Sequence, residues 1–486
     1  MNSFLKRIEH SVSFWFLLIT SFVFFLMRLP SFFEPYWYGD EGVYEVLGFG
    51  MRHGRLLYQG VWDNKPPLLY VMYALFDGNQ PCVKFFSFVV GLVAIWIFYA
   101  LAKRLLENKK SIFLATGIFT LFLGLPFFEG NIANAENFMI LPAVASAFLV
   151  VKTIQEKKQT RMYLFSAGLL LGISFLIKVV AVFDFASFFL IFGFIFFAWN
   201  KKVLQKLFLD LLTFSIAFFI PLAITIGFFV YKGMLQTFIQ SAFLSNVGYV
   251  NYSNQFIIPQ GLLILKLTIV AIILITVFLK RKSLSLLQLV IYIWLPFSLY
   301  NALFSGRPWT HYMLVLLGSL TLLIATLLKR KLRIIHAIFL LIVILLLAKN
   351  FWFYGKIIGY YQNFTQFALG QKTVMAYQSF FDKGVPRDYA IADFLNQNVK
   401  PNQKVFLWTN SAQLYYLINR LPPGRYTVAY HITANAATLR ETAQAIKQNQ
   451  PDFIVVLPNA STFPFATSQY KLRLEINGGL IYEKVF

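Results

Sequence analysis

Apolar residues run through this chain in long blocks rather than in the short alternations of a soluble fold. A spanning helix needs roughly 20 mainly apolar residues. Eleven stretches qualify, near 12–29, 82–102, 111–128, 137–153, 162–178, 181–199, 207–230, 259–279, 284–304, 311–328 and 334–349. The first is long and lacks a small-residue cleavage site, so it predicts an anchor rather than a signal peptide. After about residue 350 the pattern changes. There, 387–398, 411–418 and 436–449 predict helices, and 403–409 (QKVFLWT) and 452–457 (DFIVVL) predict strands. The elements together predict a mainly α, polytopic helical membrane protein over 1–349, followed by a small extracytoplasmic α/β domain over 350–486. No internal repeat or low-complexity tract interrupts this plan.

The polar positions set an orientation. Basic clusters occur at Lys6 and Arg7, at Lys103, Arg104, Lys109 and Lys110, and at Lys152, Lys157, Lys158 and Arg161. Others are Lys201, Lys202 and Lys206, then Lys280, Arg281 and Lys282, then Lys329, Arg330, Lys331 and Arg333. With eleven spans, every cluster falls on one side, which the positive-inside rule makes the cytoplasm. The N-terminus is then cytoplasmic and the C-terminal domain outside. Composition agrees: 58% of residues are hydrophobic and 13% charged, about half the usual charged share. The net charge of +23 would suggest nucleic acid in a soluble protein, but here it is explained by topology. Nucleic acid is therefore not an expected partner, whereas the bilayer is. The single cysteine, Cys82, excludes an internal disulfide and a multi-cysteine metal site.

Most exterior loops are short, so ionisable residues on that side stand out. The first loop (30–81) carries Asp40, Glu41 and Tyr44 at the start of a run whose apolar residues Val43, Val46, Leu47, Gly50 and Met51 fall at helical spacing. The spacing predicts a short helix along the membrane surface, on which the two acids could serve only the helix dipole. Trp62-Asp63-Asn64-Lys65-Pro66-Pro67 follows, where Asp63 or Asn64 could cap a second helix. Lys65 and the free N–H groups of that helix start would form an anion site, unless Lys65 only snorkels to headgroups. Glu136 enters a span, where an ionisable group is costly and by default functional. Lys178 closes the fifth span on the exterior side, and Arg307, His311 and Tyr312 lie at another span entrance. Tyr44 and Tyr312 are the aromatic candidates for a substrate pocket. A carboxylate can deprotonate a hydroxyl, and cations can stabilise a phosphate that gains charge as it leaves. The chain has no P-loop, HExxH pair or GxSxG elbow, which argues against nucleotide hydrolysis, zinc proteolysis and serine hydrolase chemistry.

The blocks DEGVY (40–44), WDNKPPLLY (62–70), ANAENFMILP (133–142) and GRPWTHYMLVLL (306–317) resemble the GT-C glycosyltransferases. The likeness covers roughly residues 10–345 and is to the bacterial branch related to protein O-mannosyltransferases and the lipid A aminoarabinose transferase. The resemblance implies a sugar donor carried on a polyprenyl phosphate, a lipid, glycan or protein acceptor, and transfer with inversion outside the cytoplasmic (inner) membrane of a bacterium. It implies that Asp40 is the catalytic acid position, with Glu41 beside it and Glu136 as second acidic site. It likewise implies that Lys65 lies next to the carrier phosphate; from their place at the exterior ends of spans, Arg307, Lys178 and His311 are expected to help it hold that phosphate. The aminoarabinose transferase pattern has an arginine just before the tyrosine of its first motif; here that position is Val43, which argues against that particular transfer. No metal ligand set and no cofactor are expected, and a divalent cation stays open. The rivals are a transporter or flippase of lipid-linked sugars, which needs ionisable groups or broken helices near the bilayer midplane, and a surface polysaccharide polymerase or ligase.

Overall fold

The computed structural model describes residues 11–156, 159–247, 261–328 and 333–485. Lys6, Arg7, Lys157, Lys158, Lys329, Arg330 and Lys331 of the basic clusters lie outside the described residues, as do positions 248–258 of the exterior loop predicted over 231–258.

A helix occupies each of the eleven apolar stretches. These are Val12–Arg28, Gln80–Leu105, Lys109–Gly124, Ala135–Glu156, Thr160–Ile177, Val182–Phe196, Lys201–Tyr231, Gly261–Lys280, Leu286–Ala302, Leu317–Thr326 and Arg333–Asn350. Among the described residues, seven helices are long and apolar enough to cross a membrane by length and composition, and three shorter ones are apolar.

The chain parts into two compact units. The first holds the described residues of Met1–Leu29, Phe86–Leu235 and Phe243–Gly355; the second holds those of Pro30–Phe85, Gln236–Ala242 and Lys356–Phe486. This division differs from the one read along the sequence, because the first loop is built together with the tail.

Among the described residues, the regular structure of the first unit is all helical. Its helices Thr160–Ile177 and Lys201–Tyr231 pack closely because Gly168 and Gly172, one turn apart, lie against the carbonyls of Phe214 and Phe218. A Cβ at either glycine would collide with that backbone, so small residues set the approach, as is common between helices in membranes. Aromatic stacking fills the remaining space, for instance Phe98 on Phe119 at 4.2 Å and Phe185 on Phe214 at 4.9 Å.

The second unit contains a four-stranded sheet of order β1-β2-β4-β3, with β1 Val405–Trp408, β2 Phe453–Val456, β3 Tyr470–Ile476 and β4 Gly479–Lys484. Strands β1 and β2 are parallel, joined across the helix Ala436–Asn449, and their unbroken apolar runs are buried, as the pattern of a covered parallel pair requires. Strands β3 and β4 form a hairpin closed by Asn477 and Gly478, both at positive φ. The helix Gly39–Arg52 packs on Pro67–Leu75 through Gly48 and on the tail helix Gln413–Leu417 through Gly42. A Cβ at Gly48 would stand 2.7 Å from the backbone of Tyr73, and one at Gly42 2.8 Å from the amide nitrogen of Gln413. Both glycines are therefore what lets the Asp40-bearing helix settle between its neighbours.

Candidate functional site

Within the second unit, the first turn of Gly39–Arg52 presents Asp40, and the loop before Pro67–Leu75 presents Lys65. The Lys65 ammonium lies 3.9 Å from Asp40 Oδ2 and 3.7 Å from Asp63 Oδ2, and 4.7 Å above the centre of the Tyr44 ring. Tyr44, one turn after Asp40, donates its hydroxyl to Asp40 Oδ2 at 3.1 Å. Asp40 keeps 40% of its side chain exposed and Lys65 19%, against 5% for Asp63. The expected pair Asp40 and Lys65 is thus brought together, with Tyr44 alongside.

Two local expectations change. Neither Asp63 nor Asn64 caps the helix: it starts at Pro67 with Pro66 as N-cap and no side-chain cap bond. Asp63 is buried instead, accepting a 2.7 Å hydrogen bond from Tyr70, with His431 Nε2 3.7 Å from its Oδ1. Burial raises the Asp63 carboxyl, but Lys65, His431 and the Tyr70 hydroxyl outweigh it and hold the group below the usual carboxylate range. Nor does the backbone of Lys65 offer a free donor, because its N–H is given to Tyr70 at 3.0 Å. Pro66 and Pro67 have no N–H at all, so the two positions that follow Lys65 add no backbone donor beside its ammonium.

Glu41, the neighbour of Asp40, points the other way and is 1% exposed. It lies 3.2 Å from Lys84, which is itself fully buried and 2.6 Å from Glu34 Oε2. Tyr360 and Trp37 donate to Glu34 at 2.5 and 3.0 Å. The assembly ties the segment 34–45, the start of Gln80–Leu105 and the tail helix Ile357–Ala368 into one piece beneath Asp40. The sequence places Glu41 beside Asp40 as a catalytic candidate; in the structure it is buried and ion-paired with Lys84.

Glu45 follows one turn later, is 0% exposed, and among the described residues neither carboxyl oxygen has a hydrogen-bond partner. Burial pushes its carboxyl well above the ordinary range, reinforced by the Glu41 carboxylate and only partly offset by Lys84. A raised carboxyl favours the folded state fully below the unfolded value, and that support is lost as pH rises through the raised range. Glu45→Gln should therefore be more stable than the parent at neutral pH, with the gap closing as pH falls toward 4.5. Thermal unfolding in detergent across that range measures it; a gap that widens on acidification would show Glu45 to be charged in the fold.

The first unit gathers the other expected residues. Glu136, in the first turn of Ala135–Glu156, is ion-paired with Lys178 at the end of Thr160–Ile177. Lys178 also lies 4.3 Å above the Tyr312 ring. His311 Nδ1 is 2.8 Å from Glu129 Oε2, while Thr310 donates to the other Glu129 oxygen at 2.9 Å and Asn134 donates to Oε2 at 3.2 Å. Arg307 lies in the same loop as His311, its N–H donating to Ser305 Oγ. Glu136 and Lys178 thus form one ion pair rather than two separate groups, and His311 is paired with a carboxylate. A small cavity behind Glu136 is lined also by Asp184 and Trp294, whose indole N–H donates to Asp184 at 2.8 Å. Among the described residues, no cluster of three or more His, Cys, Asp or Glu is arranged to hold a metal ion.

Nothing in the sequence pattern singles out Glu129, which stands at a positive φ of 57°, unusual for a non-glycine residue, and whose carboxylate meets three side chains. The pattern likewise marks Asp63 only as a cap and does not single out Lys84, Glu34 or His431.

Residues 65–224 match the family described as dolichyl-phosphate-mannose-protein mannosyltransferase, a stretch that covers Lys65, Glu129, Glu136 and Lys178. No curated protein matches the sequence. Among solved structures, ArnT from Cupriavidus metallidurans bound to undecaprenyl phosphate is similar, with a TM-score of 0.54 at 13% identity over 98% of this chain and 99% of that one. The same enzyme in the apo state gives 0.56 at 14%, with 98% and 99% covered. The mainly helical GT-C fold with a small C-terminal sheet domain is therefore the fold of this chain. The family match and that likeness together point to a glycosyltransferase.

Proposed function

We propose that this chain transfers a sugar from a polyprenyl-phosphate carrier to a hydroxyl of a lipid, glycan or protein acceptor on the extracytoplasmic face of the membrane, with inversion. The observation that carries the reading is the pairing of Asp40, the most exposed carboxylate of its cluster, with the Lys65 ammonium. The acceptor O–H gives its proton to Asp40 as its oxygen forms the new bond to the sugar's anomeric carbon. The bond from that carbon to the carrier phosphate breaks, and the carrier leaves as a phosphate monoester with one more negative charge. Lys65 meets that charge. The donor class is supported by the undecaprenyl phosphate of the ArnT structure. Transfer by purified protein from a polyprenyl-phosphate sugar, read by mass spectrometry of glycolipids and glycoproteins from cells with and without the intact gene, tests the reading. Identical profiles would reject it.

The orientation is part of the proposal. With the basic clusters inside, the tail lies outside, so a reporter active only in the cytoplasm and fused after Phe486 should give no signal. A clear signal would put Asp40 and Lys65 on the wrong face for an exported donor.

A further inference from the structure

The tail is joined to the Trp62–Lys65 loop at several points inside the second unit. Trp62 N–H donates to the carbonyl of Arg425 at 2.9 Å, and the Arg425 guanidinium returns a 2.9 Å bond to the carbonyl of Tyr58 while pairing with Glu441 at 2.7 Å. The Trp62 ring stands edge-on to Tyr426 at 5.3 Å and to His431 at 5.0 Å. His431 is carried on the short helix Ala429–Ile432, whose first N–H donates to Thr409 beyond the end of β1 at 2.8 Å. The sheet of the tail thus fixes where His431 stands.

The two oxygens of Asp63 face different groups. Oδ2 takes the Tyr70 hydroxyl and lies beside Lys65; Oδ1 faces His431 Nε2 at 3.7 Å. The other ring nitrogen of His431, Nδ1, is buried without a hydrogen-bond partner among the described residues. The ring is therefore held by packing on Trp62 and on Tyr430, at 4.5 Å, and the polar group near Nε2 is Asp63. The Tyr70 hydroxyl and the Asn64 N–H also hold this carboxylate; without His431, Oδ1 loses the group facing it, and the carboxylate can lean further onto the Lys65 ammonium and draw off charge that a phosphate needs.

We infer that the C-terminal domain is a working part of the Asp40–Lys65 site: His431 holds one oxygen of Asp63 away from Lys65 and so keeps the ammonium available to an anionic group. His431 is a positioning residue, acting through Asp63. This rests on the proposed role of Lys65 as the phosphate-binding cation. It goes beyond that role by giving the tail a task and a residue.

Binding of undecaprenyl phosphate to the purified, full-length protein in detergent tests it, with a thermal melt of each variant as the check on folding. His431→Met, similar in size but without a polar nitrogen facing Asp63, should weaken binding by roughly two- to fivefold, the scale of a polar contact that at 3.7 Å is longer than a hydrogen bond. His431→Gln should retain most of the affinity, because its amide can still donate toward Asp63. The decisive comparison is the double variant: in an Asp63→Asn background, which removes the charge that competes for Lys65, His431→Met should cost nothing further. A histidine that only packed against Trp62 would give losses that add, and would not distinguish Gln from Met. Additive losses, or wild-type affinity in His431→Met, overturn the inference while leaving the donor reading intact. A wild-type protein that fails to bind the probe overturns both. Should His431→Met not fold, His431→Ala carries the same comparison.

Discussion

Asp40→Asn is expected to lower transfer by roughly 100- to 10,000-fold, the usual cost of losing a positioned general base, in protein that remains folded and inserted. The substitution keeps the size of the side chain and its bond from Tyr44, and Asp40 is partly exposed and outside the buried ion cluster, so stability should change little. Glu41→Gln is the informative companion. It weakens the buried pair with Lys84, whose other near carboxylate is Glu34, and its effect should appear mainly as a lowered melting temperature with a milder loss of rate. Single-turnover transfer by the two variants beside their melts separates the roles. Equal losses of rate, or a worse loss in Glu41→Gln, would move the base from Asp40 to Glu41.

The helical step between Asp40 and Glu41 already predicts the milder effect, but the burial of Glu41 against Lys84 is not readable from the sequence, and the reason is physical. Asp40 and Glu41 are adjacent acids at the start of a surface helix, and nothing local says which will turn inward. The choice is made by Lys84, more than forty positions on, and by Tyr360 of the tail, 326 positions from Glu34. Lys84 itself is hidden by its setting: it stands in an otherwise apolar span and looks like an isolated cost until its carboxylates are seen. Asp63 misled in the opposite direction. Its position before two prolines fits a helix cap, yet Tyr70 and His431 claim the side chain first.

What was readable is what local physics alone decides. Long apolar blocks gave the helices, because the bilayer leaves the backbone no other way to satisfy its hydrogen bonds. The helix Gly39–Arg52 followed from its spacing, and β1 and β2 from their unbroken apolar runs. The hairpin of β3 and β4 was missed although Asn477-Gly478 is a strong turn signal, because β3 is largely exposed and offers no apolar face to notice. The Asp40 and Lys65 blocks were found as motifs and are adjacent in the fold, whereas the contribution of the tail to them depends on contacts between residues more than 350 apart, such as Arg425 to Tyr58.

Lys65→Ala should depress both donor binding and turnover, the first by about 10- to 100-fold, the range for a hydrogen bond to a charged group. Turnover should fall further, because the phosphate gains charge as the carrier leaves and an interaction that strengthens toward the transition state lowers the barrier as well as aiding binding. Lys65→Arg should keep part of both, since charge survives while the compact ammonium, seated over Tyr44 and between two carboxylates, does not. The competing role is that of a structural counter-ion for Asp40 and Asp63. That role predicts a lower melting temperature in Lys65→Ala with undecaprenyl-phosphate affinity and transfer both unchanged. Measuring the three quantities on one preparation decides between them. Loss of affinity without loss of stability assigns Lys65 to the carrier phosphate, whereas the reverse pattern would leave Arg307 and Lys178 as the cations to test next.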